Sequence, residues 1–185
     1  MTQSPLTIGV IGDGFMKPSF FIEAMTARLK DRPVTFREME LGWPLNRQST
    51  KYDPTLPVGE FVGRPEEYYG FIQGLDILVT HLAPIIGDSM DQSPQLKVIA
   101  VSRGGPVNVD MAAARARGIT VINTPGRNAS AVAEFTVASL LAETRNLIRG
   151  HNEVAGGTWG RTYYHYDHVG PELCELTIGI VGYGD

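Results

Sequence analysis

The chain has 185 residues and a formal net charge of −4 at pH 7, and 43% of its residues are hydrophobic, as in ordinary soluble globular proteins. This length is enough for one well-packed domain and part of a second, and the mildly acidic charge argues against binding to nucleic acid. A single cysteine, Cys174, excludes an intrachain disulfide. Together with the lack of a signal-peptide pattern and of an apolar stretch long enough to cross a bilayer, it predicts a cytoplasmic protein with no membrane partner.

Strands and helices alternate along the first 125 residues and predict an α/β fold. Short apolar runs bounded by turn residues indicate five strands, at residues 7–11, 34–39, 76–80 and 98–101 and within 118–126. Helices are predicted between them at residues 18–30, 66–73, 88–92 and 111–117. This alternation is typical of a doubly wound parallel sheet with right-handed crossovers. The connection at residues 42–64 shows no periodicity, and a connection of that length is usually functional or mobile.

The loop after the first strand contains Gly12-Asp13-Gly14, which looks like the start of a dinucleotide-binding fingerprint. Lys17 stands where the third glycine of that fingerprint should be. Because a lone Gly-x-Gly is weak evidence, we interpret this segment as a βα turn of the first domain rather than as a cofactor site.

The fourth strand is followed by a glycine-rich loop, SRGGP, at residues 102–106. Two adjacent glycines let the backbone turn tightly and bring its N–H groups close to a ligand that a Cβ would hold off. The helix that follows has Asp110 as a good N-cap and Gly118 where a left-handed residue ends a helix. A strand, a loop and a helix in this order place the loop at the carboxyl edge of the sheet, where open α/β folds bind ligands. A plain tight connection is the alternative, and Gly-Gly-Pro alone does not decide between the two.

Three blocks of sequence run from this loop to the end of the chain. They are LKVIAVSRGGPVNVD at residues 96–110, ITVINTPGRNASAVAEF at 119–135 and GPELCELTIGIVGYG at 170–184. In their order and spacing, from about residue 75 onward, these blocks resemble the D-isomer-specific 2-hydroxyacid dehydrogenases. The first seventy residues match that family only in pattern.

The resemblance implies a flavodoxin-like strand order, 2-1-3-4-5, for residues 1–125, which would form the substrate-binding domain. The strand order reverses between strands one and three, so the loops at 12–16, 80–84 and 102–106 would line one crevice. His81 would then be a substrate contact. A lone histidine after a strand is also typical of a surface or capping residue.

Residues 126–185 are interpreted as an interdomain helix followed by the truncated start of a Rossmann domain that binds NAD or NADP. The helix is predicted at residues 128–149 and is expected to bury an apolar face, and a strand is predicted at 176–181. That apolar face consists of Val132, Phe135, Leu140, Leu141 and Ile148. The resemblance implies the following cofactor-binding residues: Asn128, Val132, Gly182, Tyr183, Gly184 and Asp185. The fingerprint stops before its third glycine, so we expect this chain to be the N-terminal portion of an enzyme and to be inactive alone.

The activity implied for the intact protein is an NAD(P)-dependent oxidation of the CH–OH group of a D-2-hydroxy acid, or reduction of the matching 2-oxo acid, by a homodimer. In the family a histidine moves the proton, and an arginine with backbone amides holds the substrate carboxylate. This chain lacks the segments that carry the family's catalytic arginine, glutamate and histidine. We therefore predict no catalytic residue within it.

The carboxylate anchor is the part of the family's site that this chain would contain. The resemblance makes the N–H groups of Gly104 and Gly105 its donors, with Asn108 bracing the loop through hydrogen bonds to the loop backbone. The chain departs from the family pattern at Arg103, which adds a cation, at Pro106, which removes a donor, and at Val107. We expect Arg103 either to face the crevice and favour a substrate with a second anionic or polar group, or to point to solvent.

Two other classes of protein are compatible with the same scaffold. One is a ligand-sensing or corepressor protein, as in the carboxy-terminal-binding proteins that resemble these dehydrogenases. The other is a flavodoxin-like response module, against which the tail at residues 170–184 argues. His165 and His168 lack the helical spacing of a metal-binding pair, and we predict no metal.

Overall fold

The computed structural model describes residues 4–42 and 53–184. The chain divides into two compact units, Met1–Pro125 and Gly126–Asp185. That the first unit binds substrate and the second begins a nucleotide-binding domain remains a prediction. Residues 43–52 of the irregular connection predicted at 42–64 lie outside the described residues.

The first unit contains a five-stranded parallel sheet. Its strands are β1 (Leu6–Asp13), β2 (Val34–Leu41), β3 (Ile77–Thr80), β4 (Val98–Val101) and β5 (Thr120–Asn123). They lie in the order β2-β1-β3-β4-β5, and every neighbouring pair is parallel. The predicted doubly wound α/β fold and its flavodoxin-like strand order are therefore confirmed.

Helices cover both faces of this sheet. They are α1 (Pro18–Arg28), a 3-10 turn (Pro65–Tyr68) that continues into α2 (Tyr69–Ile72), α3 (Gly87–Asp91) and α4 (Met111–Ala116). Successive residues of a strand point to opposite faces. Val10 and Val79 accordingly pack toward α1, whereas Ile11, Leu78 and Ile99 belong to the larger core cluster under α2, α3 and α4.

The capping of α4 follows directly from its sequence. The side chain of Asp110 accepts a hydrogen bond from the N–H of Ala113 at 2.9 Å, and Gly118 takes the left-handed conformation after the helix, with φ +68. Both features were predicted, because an N-cap acceptor satisfies an otherwise unpaired helical donor and glycine adopts positive φ without a steric penalty.

Removing the cap should therefore weaken the first unit. Asp110→Ala is expected to lower the free energy of unfolding by about 1 kcal/mol, as measured by urea denaturation followed by circular dichroism. Asp110→Asn keeps an acceptor and should lose only a small part of that amount. Equal losses in the two variants would show that the acceptor oxygen is not what stabilises α4.

The second unit contains two helices where one was predicted. They are α5 (Ala129–Thr144) and α6 (Leu147–Ala155), and two 3-10 turns follow at Thr162–Tyr164 and Leu173–Glu175. The prediction of a single helix at 128–149 is wrong because Asn146 takes the left-handed conformation, with φ 53, and its side chain donates to the carbonyl of His168 at 3.0 Å. Asparagine tolerates this conformation better than other residues with a Cβ.

The apolar face of α5 is also not buried as expected. Phe135 is 75% exposed, Val132 53% and Leu141 44%, and no residue of α5 is buried. Burial needs an apposed surface, and within this unit the helix that contacts α5 is the short α6. The sequence pattern correctly marks an apolar helix, but it does not show what covers it.

Residues 176–181 do not form the predicted strand. They lie in irregular backbone, and Ile178 and Ile180 are exposed. A β-strand requires a neighbour that pairs with its N–H and C=O groups, and no described residue of the chain pairs with this segment. The apolar sequence alone is therefore insufficient to make it a strand.

Candidate substrate-binding site

Three loops leave the carboxyl edge of the sheet side by side. The N–H of His81, the first residue after β3, donates to the carbonyl of Ile11 in β1 at 3.3 Å. The N–H of Ser102, the first residue after β4, donates to the carbonyl of Thr80 in β3 at 3.0 Å. The loops at 12–16, 80–84 and 102–106 thus begin next to one another, on both sides of the point where the strand order reverses.

A buried acid–histidine pair joins the first two loops. Asp13, the last residue of β1, has a carboxylate oxygen 2.5 Å from Nδ1 of His81. The side chains are 1% and 8% exposed, respectively. The other oxygen of Asp13 accepts from the N–H groups of Phe15 at 2.9 Å and Met16 at 2.8 Å. The carboxylate of Asp13 therefore stabilises the loop after β1 and binds it to the loop after β3.

The charge state of Asp13 follows from these contacts. Burial raises the pKa of its carboxyl, but the hydrogen bonds from His81, Met16 and Phe15 and the attraction of the imidazole outweigh burial, so the pKa lies below its ordinary value. An ionised carboxylate only accepts, so Nδ1 of His81 carries a proton and Nε2 is the nitrogen left for other contacts. No described residue bonds to Nε2, and the ring of Phe15 lies with its centroid 6.0 Å from that of the imidazole.

Residues at the end of β5 donate hydrogen bonds to carbonyl groups of the glycine-rich loop. The N–H of Thr124 donates to the carbonyl of Arg103 at 2.9 Å, and Nδ2 of Asn123 donates to the carbonyl of Gly104 at 2.6 Å. In a trans peptide the C=O and the following N–H point in opposite directions. The N–H groups of Gly104 and Gly105 therefore both point away from β5, and neither bonds to any described residue.

The two glycines are not required by the protein's own geometry. Neither has a positive φ, so the expected need for glycine in a tight turn is not met. A Cβ on Gly104 would lie in open space, and one on Gly105 would meet only the side chain of Val107, at 3.9 Å. Glycine at these positions keeps the loop that carries the two unbonded N–H donors free of side chains, which suits close approach of an anion.

Asn108 braces a different segment from the one predicted. It is fully buried, and its Nδ2 donates to the carbonyl of Ala83 at 2.8 Å rather than to its own loop. Its backbone carbonyl accepts from Ile85 at 2.9 Å, and the N–H of Asp110 donates to the carbonyl of Ile85 at 2.8 Å. Asn108 therefore holds the loop after β3, residues 80–84 (the β3 loop), next to the start of α4. Its Oδ1 has no partner among the described residues.

Arg103 neither stands free in the crevice nor points to solvent. Its Nη1 donates to the carbonyl of Glu60 at 2.8 Å, and its Nη2 bonds to the carboxylate of the same residue. The segment around Glu60 is attached on both sides: Gly59 donates to the carbonyl of Val107 at 2.9 Å, and Val62 donates to that of Leu82 at 3.0 Å. Residues 59–62 thus connect the β3 and β4 loops from outside the sheet.

Four residues of this arrangement were not identified as functional from the sequence. They are Asp13, Glu60, Asn123 and Thr124. A signal existed for three of them, because Asp13, Asn123 and Thr124 are polar residues at the carboxyl ends of strands. Glu60 had no local signal, since its partner lies 43 residues away.

The residues predicted to bind the cofactor lie in the second unit. Asn128 is the N-cap of α5 without a side-chain capping bond, and Val132 is half exposed. Gly182 has φ +89, and Tyr183 and Gly184 follow it in irregular backbone. Asp185 lies outside the described residues.

A dinucleotide is held by a strand, a glycine turn and a helix N-terminus acting together. The described residues after 170 do not form that unit, so they do not make a cofactor site by themselves.

Two kinds of feature are absent from residues 4–42 and 53–184. No group of three or more histidine, cysteine, aspartate or glutamate side chains there is arranged to hold a metal ion. No helix in those ranges has both the length and the apolar character needed to cross a bilayer.

The strand order and the helices define a doubly wound α/β domain, and comparison with known proteins identifies its family. The profile of "D-isomer specific 2-hydroxyacid dehydrogenase, catalytic domain" matches residues 61–166, more than half of the chain. The chain belongs to the D-isomer-specific 2-hydroxyacid dehydrogenase family.

Similar proteins include dehydrogenases and reductases of small acids. A glycerate dehydrogenase of Methylorubrum extorquens is 35% identical over 122 residues, which are 65% of this chain and 39% of that protein. A glyoxylate reductase of Thermofilum pendens is 40% identical over 120 residues, 64% of this chain and 35% of that one. The chain therefore spans less than two-fifths of the length of these relatives.

Solved structures share the fold. A protein of Thermus thermophilus has 26% sequence identity and a TM-score of 0.57, covering 84% of this chain and 42% of its own. The D-lactate dehydrogenase of Aquifex aeolicus, solved with NAD and lactic acid, has a TM-score of 0.59 over 90% of this chain and 42% of its own. Its identity is 17%, so it supports the fold alone.

Proposed function

We propose that this chain is the substrate-binding portion of an NAD(P)-dependent oxidoreductase that interconverts small D-2-hydroxy acids and 2-oxo acids. The observation that carries the proposal is the pair of adjacent N–H groups of Gly104 and Gly105, which bond to no described residue, at the carboxyl edge of the sheet. A carboxylate binds such a pair through charge-assisted hydrogen bonds. Membership in a family whose similar members are named glycerate dehydrogenase and glyoxylate reductase supports the reaction.

Four of the residues predicted to bind substrate have a role in this proposal. Gly104 and Gly105 hold the substrate carboxylate. His81 offers Nε2 to the substrate from the neighbouring loop, while Asp13 holds the imidazole in place through Nδ1. Asn108 keeps the β3 loop beside the β4 loop, and so positions His81 rather than contacting substrate.

The remaining properties of the intact protein rest on the family and on composition. We propose NAD or NADP as the cofactor, with Asn128, Val132 and residues 182–185 among the groups that bind it. We also propose a homodimer in the cytoplasm with no nucleic-acid or membrane partner. The 185-residue chain alone is proposed to be inactive, because the described residues do not form a cofactor site.

The direct test is an assay of the complete gene product. The purified protein is mixed with NADH or NADPH and with glyoxylate, hydroxypyruvate or pyruvate, and cofactor oxidation is followed by absorbance. We expect turnover of at least one acid and a product of D configuration where it is chiral. The isolated 185-residue chain should give none.

Three outcomes distinguish the alternatives. Cofactor binding without turnover of any acid would favour the ligand-sensing or corepressor class. Absence of both cofactor binding and turnover would contradict the oxidoreductase proposal. Sustained turnover by the 185-residue chain would contradict its proposed inactivity.

A further inference from the structure

We propose that Glu60 is a specificity-determining residue, which neutralises Arg103 and so restricts the site to 2-oxo and 2-hydroxy acids whose single charge is the carboxylate. The inference rests on the proposed function and deepens it, because it names the charge class of the substrate. It replaces the sequence-based expectation that Arg103 attracts a second anionic group.

Arg103 lies next in sequence to the proposed carboxylate donors, so its charge can affect which substrates bind. It immediately precedes Gly104, and its own carbonyl group belongs to the peptide whose N–H is one of the two proposed carboxylate donors. A free guanidinium at this place would offer a bidentate site to a second carboxylate or to a phosphate. In the structure both terminal nitrogens of Arg103 instead bond to Glu60.

Glu60 is held in this position by its surroundings. Its φ of +50 is in the left-handed region, which is unfavourable for glutamate, and its carbonyl and its carboxylate both meet the same guanidinium. The hydrogen bonds from Gly59 to Val107 and from Val62 to Leu82 attach the backbone on either side. A strained conformation kept by its flanks at the edge of a site indicates a functional constraint.

Stability does not account for the pair. The side chain of Glu60 is 70% exposed while that of Arg103 is 17% exposed, and ion pairs with one exposed partner contribute little to folding. The effect of the pair on a substrate is electrostatic. With Glu60 in place the pair has no net charge. A second anionic group on the substrate would have to displace the carboxylate of Glu60 from Arg103, or lie beside that carboxylate and be repelled by it.

The test is Glu60→Gln in the complete gene product, which keeps the side-chain length and the backbone carbonyl but removes the charge. The ratio of kcat/KM for dianionic acids (oxaloacetate, phosphohydroxypyruvate) to that for monoanionic ones (glyoxylate, hydroxypyruvate) should rise about tenfold. This is the gain expected from one new charge-assisted hydrogen bond. High salt should reduce the gain, since exposed charges are screened.

Two controls separate this effect from a general change of charge. Glu66→Gln removes an exposed carboxylate from the same region of the chain and should leave the ratio unchanged. The double variant Glu60→Gln, Arg103→Ala should lose the gain, because no guanidinium remains to bind the second anion. A ratio that Glu60→Gln leaves at the wild-type value would overturn the proposal.

A binding experiment keeps this inference separate from the proposed reaction. Malonate and acetate are titrated into the 185-residue chain and its Glu60→Gln variant by calorimetry. Malonate affinity should rise about tenfold relative to acetate in the variant. If no acid is turned over but the malonate affinity rises in the variant, the proposed reaction is wrong and the role of Glu60 is supported. If turnover occurs and Glu60→Gln changes neither the kcat/KM ratio nor the affinity ratio, the role proposed for Glu60 is wrong and the reaction is not affected.

Discussion

Asp13→Ala is expected to lower the free energy of unfolding by about 3–5 kcal/mol, because it removes the acceptor of three hydrogen bonds and each buried donor left unsatisfied costs about 1–3 kcal/mol. The change leaves the buried imidazole of His81 and the N–H groups of Phe15 and Met16 without their acceptor. Urea denaturation of the 185-residue chain at pH 7, followed by far-UV circular dichroism, measures the effect.

The control is Asp13→Asn, which keeps one oxygen as the acceptor of the two N–H groups but puts an NH2 group, which cannot accept, against Nδ1 of His81. It should lower the free energy of unfolding by about 1–2 kcal/mol, because the hydrogen bond to His81 is lost while the other two remain. If the alanine variant is as stable as the asparagine variant, the hydrogen bonds to Phe15 and Met16 do not stabilise the chain.

The same residue predicts a dependence of stability on pH. The pKa of Asp13 is lower in the folded chain than its ordinary value of 3.8, so the unfolded chain binds the proton more readily. The stability that this carboxylate contributes is therefore fully present above that value. It is lost as the pH falls through 3.8 toward the lower folded pKa. Urea midpoints between neutral and acidic pH should fall more steeply for the wild-type chain than for Asp13→Asn.

Gly104→Ala and Gly105→Ala are expected to weaken substrate binding without lowering the stability of the chain. A methyl group beside the two N–H donors would hold the substrate carboxylate away and lose one or both charge-assisted hydrogen bonds. In the complete gene product this should lower kcat/KM by about 10- to 100-fold, mainly through KM, since the contact is present in the ground state as well. The unfolding midpoint should stay the same or rise slightly, because neither glycine has a positive φ and removing glycine restricts the unfolded chain.

Gly118→Ala is the matched control, for which we expect lower stability and an unchanged kcat/KM. Its φ of +68 makes alanine strained after α4, so stability should fall by about 1 kcal/mol or more. It lies at the amino end of β5, away from the carboxyl edge, and kcat/KM should not change below the unfolding transition. Loss of stability in the Gly104 or Gly105 variants, or an unchanged KM, would argue against the two donors as the carboxylate anchor.

Much of the first unit could be predicted because its signals are local. The apolar run at β4 and the alternation of strands and helices depend on residues close in sequence, and the capping of α4 by Asp110 spans three residues. The strand order came from the resemblance to a family, since periodicity alone does not order strands.

The contacts of the site could not be predicted in the same way. Asp13 and His81 are 68 residues apart, Glu60 and Arg103 are 43 apart, and Ala83 and Asn108 are 25 apart. None of these partners has a local pattern that selects the other. They meet because the fold brings segments that are distant in sequence to the carboxyl edge of the sheet.

What the sequence determined by itself is therefore the type of each strongly patterned element, the family, and the loop of Gly104 and Gly105. Tertiary structure alone decided which side chains that loop meets and whether apolar segments find a partner. The segment at 176–181 is apolar like β4, but β4 has β3 and β5 to accept and donate its backbone hydrogen bonds. Among the described residues 176–181 has no such neighbour, and a strand exists only as one of a pair.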